Sequence, residues 1–195
     1  MEDFEGIAYR LADNWHNKIP VEYKPINYLE IGAFYGANLF SVERTYCKHP
    51  ESRLYAVDPW QDYVDYGEYK NKQTDIYSTF LRNLDKCPGK DKIHIYRNFS
   101  NEQIPKFNDD FFDIIYIDGN HEPEYILEDA VLSFRKLKSG GWLIFDDYNW
   151  IDENEPDKIN HNTKHGIDGF LSAYRNKLHL NEAVLINTQI IVQKK

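Results

Sequence analysis

The stretch Ile26-Asn27-Tyr28-Leu29-Glu30-Ile31, followed by Gly32-Ala33-Phe34-Tyr35-Gly36-Ala37-Asn38, constrains this chain more than any other part of it. Ile26 to Ile31 is a short, mostly apolar run, as expected of a strand buried on both faces of a parallel sheet. Gly32 ends that run, and Gly36 and Ala37 open a helical pattern carried on by Leu39, Phe40, Val42 and Glu43. A strand, a tight glycine turn and a helix N-terminus together make a site for an adenosine-type cofactor. The glycines let the backbone come close to the ligand, and the helix end offers free N–H groups. The spacing is Gly-x-x-x-Gly, with Phe34 where a dinucleotide fingerprint needs its second glycine. This argues against a pyrophosphate on the turn, and hence against NAD or FAD. A glycine turn that only joins a strand to a helix is the competing reading, so the rest of the chain has to decide.

The rest repeats the same alternation. Strands are expected at Arg53–Val57, Ile93–Tyr96, Phe112–Ile117 and Trp142–Phe145, with helices from the first turn to about Cys47, around Tyr77–Leu84 and over Glu122–Lys138. Cys87-Pro88-Gly89 and Ser139-Gly140-Gly141 read as helix stops. Ile167, Phe170, Leu171, Tyr174 and Leu178 predict a last helix, and Val184–Ile186 with Ile190–Val192 a closing antiparallel hairpin. Phe4, Ile7, Ala8, Leu11 and Trp15 predict an amphipathic helix over residues 3 to 16, within an N-terminal cover of residues 1–25. The polar segment 149–165 reads as a lid loop. The expected fold is one α/β domain over residues 1–195, with a doubly wound, Rossmann-like sheet, mostly parallel and closed by the hairpin.

In an open parallel sheet the ligand lies outside the carboxyl ends of the strands, so the residues there carry the functional reading. Asp58 ends the second strand 22 residues beyond Gly36, where a carboxylate can accept both ribose hydroxyl protons of an adenosine. A solvated strand-end aspartate is the alternative. Trp60 in the aromatic, acidic loop that follows is placed to lie near the cofactor. Phe99 and Ser100 follow the third strand and can touch the adenine, or form a plain loop. Asp118, Asp146 and Asp147 end two adjacent strands, so their carboxylates should converge. Clustered carboxylates repel unless a cation joins them, and an all-oxygen set suits Mg²⁺, with Ca²⁺ or Mn²⁺ also fitting. His121, at the first turn of the next helix, faces the same crevice, where a neutral imidazole can take a proton from a hydroxyl. The bland readings are that the aspartates cap helices and that His121 only hydrogen-bonds the lid.

Composition removes other classes. With 23 basic against 32 acidic residues the net charge is −9, and no Lys/Arg run could form a face that grips nucleic acid through phosphates. No apolar run approaches the ~20 residues of a membrane span, and the acidic start Met1-Glu2-Asp3 is not a signal peptide. Cys47 and Cys87 stand apart with no metal-ligand spacing, as reduced thiols of a cytoplasmic protein would.

Taken together, Glu30-Ile31-Gly32-x-x-x-Gly36, Val57-Asp58-Pro59-Trp60, Ile117-Asp118-Gly119-Asn120-His121 and Phe145-Asp146-Asp147-Tyr148 resemble a class I S-adenosylmethionine-dependent methyltransferase. They are most similar to the metal-dependent O-methyltransferase branch, which includes catechol O-methyltransferase and the O-methyltransferases of macrolide sugars. The resemblance spans roughly residues 26 to 192. It implies that Glu30, Gly32, Gly36 and Asp58 bind S-adenosyl-L-methionine, and Ala33, Asn38, Trp60, Phe99, Ser100 and Asp118 are taken with them as cofactor contacts. It also implies that Asp118, Asp146 and Asp147 hold Mg²⁺ or another divalent cation, and that His121 is the catalytic base. The implied acceptor is a hydroxyl of a small molecule, a sugar or sugar nucleotide ahead of a phenol, with Tyr63, Tyr66, Tyr69, Tyr148 and Trp150 available to stack on it. His161 and His165 are the next candidates for a base, and a homo-oligomer is compatible with the sequence. The rival functions are a metal-independent N- or carboxyl-methyltransferase and a non-catalytic cofactor-binding module.

Overall fold

The computed structural model describes residues 4–6, 15, 17–63, 69–151, 157, 161–180, 184–186 and 188–195. Among the described residues seven strands form one sheet: β1 (Asn27–Ile31), β2 (Arg53–Val57), β3 (Ile93–Tyr96), β4 (Phe112–Ile117), β5 (Leu137–Phe145), β6 (Val184–Ile186) and β7 (Gln189–Gln193). Their order is β3-β2-β1-β4-β5-β7-β6, parallel from β3 through β5 and antiparallel where β7 meets β5 and β6. This is the expected doubly wound sheet with its closing hairpin. The order reverses direction at β1, so the carboxyl ends of β1 and β4 flank the crevice in which such sheets bind ligands.

Strand parity sorts the core into two layers, because successive side chains point to opposite faces. Tyr28, Ile114 and Tyr116 face one layer, with Leu39, Phe40 and Val42 of helix α1 (Ala37–Thr45) and Phe80 of α2 (Gln73–Lys86). Leu29, Ile31, Ile115 and Ile117 face the other, with Ile126, Ala130 and Phe134 of α4 (Pro123–Lys136) and Ile167 and Phe170 of α5 (Thr163–Ala173). A one-turn helix, α3 (Ser100–Gln103), follows β3. Among the described residues no helix is long and apolar enough to cross a membrane.

Three boundaries differ from expectation. Helix α4 stops at Lys136, not Lys138, and β5 starts five residues before Trp142, at Leu137. The cause is non-local: Leu137 pairs with Phe112, and a register shift before Ile114↔Trp142 absorbs the glycines, with Gly140 at φ +76°. Ser139-Gly140-Gly141 is therefore an irregular strand segment and not a helix stop, a usual role for glycine in a strand. The last helix ends at Ala173, and Leu178 lies beyond it in a bridge to Lys194. Thr163–His165 belong to the first turn of α5, which shortens the expected lid, and Ile151 bridges to Asn162 across its ends. Residues 152–156 and 158–160 of that segment lie outside the described residues, as does most of the expected helix over 3–16. From the latter, Trp15 is fully buried and donates its indole N–H to Gln189 Oε1 at 2.7 Å.

Candidate active site

The glycine turn is built to fit between two strand ends. Gly32 has φ +80°, and a Cβ there would lie 1.8 Å from the Asp118 carbonyl oxygen, so only glycine lets β1 turn beneath the end of β4. Phe34 is also left-handed, at φ +48°. A non-glycine residue in that conformation needs outside support. Asp58 supplies it: its Oδ2 accepts the N–H groups of Ala33 at 2.9 Å and Phe34 at 3.0 Å, and its Oδ1 accepts that of Trp60 at 2.8 Å. The Trp60 indole N–H in turn donates to the Phe34 carbonyl at 3.0 Å. Burial pushes the Asp58 carboxyl up to about 6, against the pull of the three N–H groups.

A cavity of about 300 Å³ opens in front of this turn. Its walls include Gly32, Phe34, Asp58, Phe99, Ser100 and Asp118, so five predicted contacts (Gly32, Asp58, Phe99, Ser100 and Asp118) share one cavity. The other predicted contacts stand behind it. Trp60 turns into the core against Tyr77 and Phe80, with ring centroids 4.9 and 4.7 Å away, and its neighbours Pro59 and Gln61 reach the cavity instead. Glu30 is buried beside Tyr28 and Asn38; its Oε2 accepts the Tyr28 hydroxyl and, at 2.8 Å, the Asn38 amide. Burial pushes its carboxyl up to about 8. Glu30 and Asn38 thus tie β1 to α1, and Ala33, also buried, offers its backbone to Asp58.

At the mouth of the cavity Asp118 meets His121 and Asp147. The His121 Nε2 lies 3.6 Å from Asp118 Oδ1 and 3.5 Å from Asp147 Oδ2, and one ligand atom from each residue falls within 4.8 Å of the others. Trp150 lies against the imidazole, its ring centroid 4.6 Å away. Burial pushes the Asp118 carboxyl up to about 8, with Asp146 and Asp147 adding to the rise and His121 opposing it. Asp146 is not brought into this group. Its Oδ2 accepts the Tyr116 hydroxyl, while its Oδ1 accepts the Asp147 N–H at 2.8 Å and the Thr188 hydroxyl at 3.3 Å. Adjacent residues at a strand end point to opposite sides. Asp146 therefore faces inward and Asp147, at φ +50°, turns to the crevice. His161 pairs with Glu122, Nδ1 to Oε2 at 2.7 Å.

Asp129 of α4 was not anticipated. It lines the cavity although only 3% exposed, and burial pushes its carboxyl up to about 7. Its signal in the sequence is a charge on the helix's inward stripe, between Ile126, Ala130 and Phe134. Tyr63, Gln73 and Tyr125 join the walls as well.

Comparisons with known proteins agree with this fold. The chain is 28% identical over 145 residues to uncharacterized protein R132 of Acanthamoeba polyphaga mimivirus; the match covers 73% of this chain and 59% of that protein's length. Among solved structures, the fold resembles the O-methyltransferase NovP (TM-score 0.64, 16% identity, 88% of this chain and 72% of that one). It also resembles the O-methyltransferase TomG from Streptomyces achromogenes, involved in tomaymycin synthesis and solved in complex with S-adenosylmethionine (TM-score 0.62, 15% identity, 87% and 73%). Residues 29–148, from the glycine-turn strand to just beyond the Asp146-Asp147 pair, match the family model described as a methyltransferase domain. The chain therefore belongs to the methyltransferase domain family, with the fold of a class I S-adenosylmethionine-dependent methyltransferase.

Proposed function

We propose that the protein transfers the methyl group of S-adenosylmethionine to a hydroxyl of a small molecule, a sugar or sugar nucleotide, with a divalent cation and a histidine base. The observation that carries this reading is the sharing of Asp118 between the cavity wall and the cluster with His121 and Asp147. A cofactor lying along the cavity would bring its sulfonium toward that cluster, where an acceptor oxygen can be presented. Gly32 and Phe34 would let the cofactor approach the backbone, and Asp58 at the end of β2 would accept the ribose hydroxyls. His121 then takes the hydroxyl proton at Nε2, and the two flanking carboxylates stabilise the imidazolium. Bound in the cavity, S-adenosylmethionine would supply its methyl group to that hydroxyl oxygen and be left as a neutral thioether. Because the methyl group is already activated, alignment and deprotonation are the protein's share of the work.

Two carboxylates beside an imidazole fit a divalent cation, so Asp118 and Asp147 would hold Mg²⁺ or Mn²⁺. Such an ion supplies positive charge that lowers the pKa of a bound hydroxyl. The close set also favours a second reading, in which His121 is the third ligand instead of the base. The direct experiment incubates the protein and methyl-labelled S-adenosylmethionine with a panel of sugar nucleotides and catechols, with Mg²⁺ or EDTA. Label on a hydroxyl, abolished by EDTA, supports the proposal. Transfer to nitrogen or a carboxylate that survives EDTA contradicts it. His121→Ala separates the two histidine roles: a base loses roughly 10²–10⁴ in turnover with cation affinity kept, whereas a ligand loses the affinity itself.

A further inference from the structure

The cavity has two ends. Asp118, after β4, stands next to His121 and Asp147, while Phe99 and Ser100 follow β3, with the ends of β2 and β1 between them. If the sulfonium lies toward the first, the nucleobase lies toward the second. The cavity wall combines apolar side chains (Ile31, Val57, Pro59 and Phe99) with more exposed polar ones, and the carboxylate of Asp129 stands out on it as deeply buried. Taking such a group out of water is costly unless something hydrogen-bonds to it. The Ser100 hydroxyl donates to it, and among the described residues no lysine or arginine pairs with it. A carboxylate has about four acceptor positions, so one serine leaves capacity for a donor from the cavity. Gly119 keeps the approach narrow: a Cβ there would lie 3.2 Å from Asp129 Oδ2. The methyl-transfer chemistry makes no use of Asp129.

We infer that Asp129 is a specificity residue for the nucleobase: its carboxylate accepts the exocyclic 6-amino N–H of adenine and rejects a 6-oxo purine, whose carbonyl oxygen would face it. The inference rests on the reading of the cavity as the S-adenosylmethionine site. A ring edge that offers a donor is retained, and one that offers a second acceptor leaves two unprotonated oxygens opposed.

The test is calorimetric titration of S-adenosylhomocysteine, S-inosylhomocysteine and the analogue with no substituent at purine position 6. The parent should bind the adenosyl compound about tenfold or more tightly than either analogue, a discrimination typical of one hydrogen bond to a charged group. In Asp129→Asn the side-chain amide can donate to a 6-oxo oxygen, so the adenosyl-to-inosyl ratio should fall to within about threefold. A purely structural role for Asp129 would weaken all three ligands alike and leave the ratio unmoved. Equal affinity of the parent for the three compounds, or an unchanged ratio in Asp129→Asn, overturns the inference while leaving the cofactor reading intact. No binding of S-adenosylhomocysteine to the parent overturns the cofactor reading and this inference with it. Should Asp129→Asn fail to fold, the parent's discrimination among the three compounds still decides.

Discussion

Replacing Gly32 by alanine adds one methyl group at the point where β1 and β4 come closest. The new Cβ would stand 1.8 Å from the Asp118 carbonyl oxygen and 2.5 Å from its carbon, so backbone would have to move by about an ångström, with no flexible side chain to absorb it. The φ of +80° adds about 1–2 kcal/mol for an L-residue held in the left-handed region. With steric displacement of a packed strand end costing typically 1–3 kcal/mol, the total is roughly 2–5 kcal/mol. For a chain of this length that lowers the melting temperature by about 5–15 °C. The displaced residue also carries the carboxylate shared by cavity and cluster, so S-adenosylhomocysteine binding should weaken by more than about tenfold even well below the melting point. Thermal unfolding and calorimetric titration read the two effects separately. Gly169→Ala is the internal control: it lies within α5, its Cβ would meet nothing within 4 Å, and alanine there should raise stability by about 0.5–1 kcal/mol. Parental stability and affinity in Gly32→Ala would refute the claim that this glycine is required by the close approach of β4.

Glu30, raised to about 8 from 4.5, contributes stability that is present in full below pH 4.5 and lost as pH rises through about 8, because the unfolded chain releases the proton first. Glu30→Gln should therefore gain on the parent across that window, by on the order of 5 kcal/mol at the alkaline end, in denaturant unfolding at a series of pH values; a flat difference curve contradicts it. Asp58→Ala removes the acceptor of three backbone N–H groups and should cost ~1–3 kcal/mol in cofactor-product affinity together with a measurable drop in melting temperature. A loss of affinity with unchanged stability would mean that Asp58 does not hold the turn. Asp146→Ala should destabilise by ~1–3 kcal/mol, since it takes the acceptor from the buried Tyr116 O–H and leaves that hydroxyl only the Gln189 amide, whereas Asp147→Ala should cost less than ~1 kcal/mol and abolish Mn²⁺ binding by calorimetry. The reverse pattern would make Asp146 the ligand.

The central strands were legible because β1, β2 and β4 are short, mostly apolar runs, largely buried on both faces, as a parallel sheet requires. The convergence of Asp118, His121 and Asp147 followed from the same rule, since strand ends share one crevice. What sequence could not supply was parity and distant pairing. Whether Asp146 or Asp147 faces the crevice depends on the Ile117↔Phe145 register and on the turn at Asp147. The start of β5 depends on Phe112, 25 positions away from Leu137. Glu30 was a nearer miss, because it shares a face with Tyr28 by the two-residue period and so had to point toward α1. Trp60 gave no such signal: it sits in an aperiodic loop, and a left-handed backbone at φ +41° turns its ring back onto Phe80.

Whether the cavity before the Gly32 turn receives S-adenosylmethionine is decided by hydrogen exchange with and without saturating S-adenosylhomocysteine. Exchange should slow in the segments that line the cavity, residues 31–36, 57–61, 99–102 and 118–129, with β6 and β7 unchanged. Saturation without protection in those segments, or protection confined to the far edge of the sheet, would contradict it.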